Sequence, residues 1–205
     1  METITVTKLN GAYDQCSGLV NLISGDGEKL LSDLSTTINN LKANWVGRDA
    51  TVHINGLIVV YNAMHAILSE AKGSVAYAAD RVIDMQRVRN ANGGGGNIGE
   101  PVSGDEIAKS DIPENEFTEE YRVEPGAADD LEALKDECTR YDEFVKKFLE
   151  QKDELMSNWT AGAQRSKAVE AFGSLEENSS AYKKLLNDAR DNLETAVKNI
   201  QTLEG

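Results

Sequence analysis

The chain has 205 residues, a net charge of −14 at pH 7 and a sequence isoelectric point near 4.6. That length suits one domain or two small ones, and the charge excludes nucleic acid and anionic membrane surfaces as partners, since both require a basic footprint. Aromatic residues make up 6%, and the only three prolines, Pro101, Pro113 and Pro125, fall in one central stretch, which leaves the rest open to helix.

The first ten residues carry neither the apolar segment nor the small-residue cleavage site of a signal peptide. No run approaches the roughly 20 apolar residues of a membrane span. The expectation is therefore no membrane insertion, and either a cytoplasmic location or secretion by a signal-peptide-independent route. Thr3 to Thr7 alternates like a short extended arm. A first helix is then predicted from about Tyr13 to Asn44. Its apolar seam is Tyr13, Cys16, Val20, Ile23, Gly27, Leu30, Leu34, Ile38, Leu41 and Trp45, spaced by threes and fours. Gly18, Gly25 and Gly27 each weaken it by up to about 1 kcal/mol relative to alanine, so its first half should bend or fray. A second helix is predicted from about Asp49 to Val88, with Leu57, Tyr61, Met64, Leu68, Ala71, Val75, Ala78, Val82 and Met85 on its seam. Asp49 at its start and Arg87 and Arg89 at its end complement the helix dipole.

Residues 90–125 differ in kind. They hold four consecutive glycines, all three prolines, and nine acidic residues against two basic ones, which is half the net charge in about a sixth of the chain. Such a composition is predicted to bury too little apolar surface to order itself, and reads as a flexible acidic linker. It separates a first hairpin, residues 1–89, from a second, residues 126–205. In the second, a helix from about Ala127 to Ser157 carries Leu131, Leu134, Cys138, Tyr141, Val145, Phe148, Leu155 and Trp159, with Lys152 interrupting. A last helix from about Ala163 to Leu203 carries Ala168, Phe172, Leu175, Ser179, Tyr182, Leu186, Ala189, Leu193, Ala196, Ile200 and Leu203. The fold class read from this pattern is all-α: two long helical hairpins forming an antiparallel four-helix bundle. The length of the linker favours Trp turns at opposite ends.

The two hairpins share a motif. Trp45-Val46-Gly47 joins the first pair of helices, and Trp159-Thr160-Ala161-Gly162 joins the second. Glycine provides the positive φ that reverses a chain after a helix. The indole either plugs the helix ends or forms part of a docking surface. Asn44-Trp45-Val46-Gly47 between two long amphipathic helices resembles the WXG family of early-secreted-antigen-like proteins. The resemblance covers residues 10–89 closely and 127–204 more loosely, because the second glycine is displaced by one position. It implies small helical hairpins exported by bacterial type VII secretion systems, usually as antiparallel dimers. This chain would be a tandem fusion whose intramolecular bundle replaces the dimer, as a monomer or as a homodimer of such units. The family's Tyr-x-x-x-Asp/Glu export signal is not matched: Asp80 follows Tyr77 by three, and Leu186 follows Tyr182 by four.

Catalysis finds no candidate residues. His53 and His65 lie twelve apart and read as surface or rim histidines, and the glycine run lacks the strand and Lys-Ser/Thr of a phosphate loop. The carboxylates read as solvated exterior. Cys16 and Cys138 form no metal or redox spacing and read as buried small hydrophobes. No metal and no cofactor is expected. The functional reading is a non-enzymatic, type VII secretion-associated protein, either a secreted substrate or a targeting partner. It would bind a helical partner or effector, or the secretion machinery, by helix–helix contact. Its candidate docking residues are Trp45, Gly47, Trp159 and Gly162, with Leu19, Leu31, Ile58 and Val59 as apolar positions outside the seam. The alternative is a cytoplasmic coiled-coil scaffold whose Trp turns merely end helices. A helical metal-storage or sensor bundle is a third reading.

Overall fold

The computed structural model describes residues 9–159 and 162–204; the expected Thr3–Thr7 arm lies outside them. The fold is all-α, with four long helical stretches and almost no strand among the described residues. The first stretch is interrupted, as its glycines predict. Helix α1 (Leu9–Leu22) passes through a π-helical turn, Ile23–Gly27, into α2 (Glu28–Asn44). The glycines there have different roles. A Cβ on Gly25 would meet nothing within 4 Å, whereas one on Gly27 would come within 3.1 Å of the Phe144 ring and 3.2 Å of Leu68. Gly27 is thus a close-approach residue, and Gly25 simply loosens the turn.

Helix α3 (Arg48–Ala91), α4 (Ala127–Asn158) and α5 (Ala163–Glu204) follow. By length and composition α3 contains an 18-residue stretch apolar enough to cross a membrane, although polar residues interrupt it, and half of that stretch is buried within the chain. A two-residue strand β1 (Trp45–Val46) follows α2 and pairs antiparallel with β2 (Arg122–Val123).

The chain forms two compact units. One takes Met1–Glu28, Ala66–Ala108 and Phe144–Glu177; the other takes Lys29–His65, Lys109–Glu143 and Asn178–Gly205. Each unit therefore draws on both sequence hairpins. In the first, Cys16, Leu19, Ile23, Leu68, Val75, Phe148, Leu155, Trp159 and Phe172 are buried together with Ala71 and Ala168. Phe148 lies 5.8 Å from Phe144 and meets Phe172 edge-on at 5.5 Å, a geometry that suits the ring quadrupoles. The seam residue Lys152 is held by Glu176 at 2.9 Å. In the second unit, Leu34, Ile38, Leu41, Trp45, Leu57, Tyr61, Leu134, Tyr141, Leu186 and Leu193 form the core.

The acidic segment is more tethered than its composition predicts. In the first unit, the Gly99 amide donates to Gln86 Oε1 at 2.9 Å, and the Tyr13 hydroxyl donates to the Glu100 carbonyl at 2.9 Å. Ile107 is buried there, and Gly104 comes so close to α3 that a Cβ would sit 2.9 Å from Ala76. In the second unit, the Ser110 amide donates to the Tyr61 hydroxyl at 2.7 Å, and Lys42 Nζ donates to the Pro113 carbonyl at 2.7 Å. Asn55 both accepts from the Asn115 amide, at 2.7 Å, and donates to its carbonyl, at 3.1 Å. Ile112 is buried beside these anchors. Polar side chains of the helices thus satisfy the segment's backbone, a source of order that a count of apolar residues does not register.

Candidate partner-binding surfaces

At the first Trp turn, α2 ends at Asn44 and Gly47 adopts φ +144° before α3 begins. The Thr51 amide and hydroxyl both donate to the Gly47 carbonyl, at 2.9 and 3.0 Å, and fasten the first turn of α3. Trp45 is 2% exposed and stacks on half-buried His53, with ring centroids 5.9 Å apart and planes 7° from parallel. Its backbone is paired to Val123, and the Glu124 amide donates to the Asn44 carbonyl at 2.8 Å. Asn44 Nδ2 also donates to Asp130 at 2.8 Å. Burial pushes the Asp130 carboxyl above its ordinary range, against the bonds from Asn44 and Asn40 that favour its charged form. The acidic segment therefore covers this turn, and sequence periodicity carried no sign of that pairing.

The second turn is one residue longer. Trp159 is 2% exposed, and Gly162 takes φ +122° before α5. The Trp159 carbonyl accepts from Arg165 Nε at 2.6 Å, while Asn158 donates to Gln15 at 2.8 Å. Both glycines thus occupy the left-handed region that their motif requires, and both indoles are interior rather than displayed.

The other candidate contact residues divide sharply. Leu19, Leu31 and Ile58 are buried within the chain, at 0%, 3% and 3% exposure, so they offer no free surface; Val59 is 56% exposed. A helix that touches more than one neighbour buries a stripe wider than one a/d seam, and these three positions fall inside it. The exposed aromatics are instead Phe117 (70%) and Tyr121 (60%), on the segment that crosses the first Trp turn.

Several polar groups also depart from the expectation of a solvated exterior. Glu137 is 1% exposed on α4, with Thr37 Oγ1 donating to its Oε1 at 2.6 Å and no partner for Oε2 among the described residues. Burial raises its carboxyl to about 7, opposed by the Thr37 bond and by Arg140 and reinforced by Asp33 and Asp136. Arg140 bridges Asp33 at 2.6 Å and Asp136 at 2.7 Å beside it. His65 is buried rather than at a rim, its ring 6.4 Å from that of Tyr61. Lys72, also buried, pairs with Glu28 at 2.7 Å. Both cysteines are free and buried, and burial pushes the thiol of Cys16 up to about 12 and that of Cys138 to about 11. No cluster of three or more His, Cys, Asp or Glu side chains is placed to hold a metal ion among the described residues.

Comparison with family models, curated proteins and solved structures returns no match to this chain.

Proposed function

We propose that this protein is a non-catalytic, type VII secretion-associated helical protein that binds a protein partner. Its two Trp hairpins would be folded on each other as an antiparallel four-helix bundle. The observation that carries the reading is the duplicated helix–Trp–Gly–helix unit, with each indole buried and each glycine at positive φ. A hairpin of long helices leaves an apolar stripe that needs a second hairpin, and each compact unit draws on both hairpins. In this reading the chain is monomeric, and partners meet its outer faces.

The test is immunoblotting of culture supernatant and cells from the source bacterium, with and without the ATPase of its type VII system. Appearance outside that depends on the ATPase supports a secreted substrate. Retention in both strains, with a cytosolic marker confirming intact cells, removes the exported version and leaves a targeting partner. The scaffold alternative keeps one observation of its own: the buried indoles suffice to end helices without meeting any partner. Loss of effector export on deletion of this protein would separate a targeting partner from a scaffold.

A further inference from the structure

Within the second unit, residues 117–121 form an arch held at both feet. On one side, Asn55 clasps both backbone groups of Asn115, and the Thr51 hydroxyl, whose one proton is shared with the Gly47 carbonyl at 3.0 Å, lies 3.3 Å from the Glu116 carbonyl. On the other, Arg122 and Val123 are paired with Val46 and Trp45. Between these anchors stand Phe117 and Tyr121, the only strongly exposed aromatic side chains among the described residues. Tyr121 lies over the Trp turn, where a Cβ on Gly47 would come within 3.1 Å of its ring. Arg48, Phe117, Thr118 and Glu119 line a surface cavity of about 280 Å³. Arg48, Val52, Asn55 and Val59 follow one face of α3 by their spacing, and Val52 and Val59 are more than half exposed.

An aromatic pair left in water is costly unless something covers it, and aromatic anchors dominate protein interfaces. Anchoring at both feet lowers the entropy lost on docking. The charge around the arch selects the occupant. No cation pairs with the side chains of Asp111, Glu114, Glu116 or Glu119 among the described residues, whereas Arg122 is engaged by Glu120 and Glu124. Phosphate-bearing partners are repelled by that rim. A second copy would bring the same rim and a net charge of −14 against its like.

We propose that the Phe117–Tyr121 arch, with Arg48 and Val52 beside it, docks a protein segment that presents apolar side chains flanked by lysine or arginine. This rests on the partner-binding part of the reading above and is independent of export.

The test uses the purified full chain, isotopically labelled and titrated by NMR with a synthetic amphipathic leucine–lysine peptide and its leucine–glutamate counterpart. The expected result is that the basic peptide shifts the signals of residues 117–121 and Arg48, while the acidic one shifts none. Phe117→Ser with Tyr121→Ser should weaken binding at least about tenfold. Glu116→Gln with Glu119→Gln should weaken it and flatten its salt dependence. The proposal is overturned if the basic peptide fails to bind, shifts signals elsewhere, or binds both variants as tightly as the parent. Sedimentation without peptide covers the other occupant: self-association abolished by the aromatic double variant would assign the arch to a second copy and overturn the proposal. Because the readout is made on purified protein, its failure leaves the export assay untouched, and the reverse also holds.

Discussion

Glu137→Gln should make the protein more stable at pH 8 while changing little at acidic pH. Burial raises the Glu137 carboxyl from 4.5 to about 7, more than offsetting the bond from Thr37 and the charge of Arg140. The folded chain therefore binds this proton more tightly than the unfolded chain. The stability it contributes is complete below about pH 4.5 and is lost as pH rises through about 7. At about 1.4 kcal/mol per unit, the ionised carboxylate costs about 3 kcal/mol at pH 8. Glutamine resembles the protonated acid and retains an oxygen to accept from Thr37, so it removes that cost. Urea denaturation followed by circular dichroism, run for both proteins between pH 5 and 8, measures the difference directly. The parent should lose stability across this range, and the gap between the two should open toward about 3 kcal/mol. The net charge of −14 is common to both proteins apart from this one group and largely cancels in the comparison. A gap that is the same at pH 5 and pH 8, or a variant less stable than the parent at pH 8, would refute the argument.

Gly25→Ala should stabilise the π turn by about 0.5–1 kcal/mol, since it removes backbone freedom and its methyl enters open space. Gly27→Ala should destabilise, because its methyl meets the Phe144 ring at 3.1 Å; thermal melts of the two variants should move in opposite directions. Tyr61→Phe removes the acceptor for the Ser110 amide and should cost about 1 kcal/mol, with hydrogen exchange accelerated at Ser110. Trp159→Ala should cost about 3–5 kcal/mol in chemical denaturation, as a large buried side chain is lost.

Much of this architecture was legible because apolar residues recur at threes and fours. The helix boundaries lie within a few residues of those the spacing predicts, and the interruption of the first helix falls among its glycines. Gly47 and Gly162 hold the positive φ expected of residues that reverse a chain. What escaped were contacts between residues distant in sequence. The pairs Asn55–Asn115 and Tyr61–Ser110 are separated by 60 and 49 positions and are formed by polar groups that resemble surface residues when read alone. Glu137 shares a helix face with Leu134 and Tyr141, three before and four after it; that spacing was the available sign of its burial. Leu19, Leu31 and Ile58 read as outer positions in the sequence, because periodicity shows which face is apolar but not how many neighbours cover it. The exposed aromatic surface lies on Phe117 and Tyr121, in a segment whose composition directed attention elsewhere.

In the fold proposed above, the two Trp hairpins would cover each other within one monomeric chain and leave the outer faces for a partner. Light scattering coupled to size-exclusion chromatography, over a wide range of loading concentrations, tests it most directly. A single species at the chain mass of 22.3 kDa is expected. A stable species of twice that mass at every concentration would contradict the monomeric bundle, and would mean either hairpins that complete one another between chains or two intramolecular bundles paired.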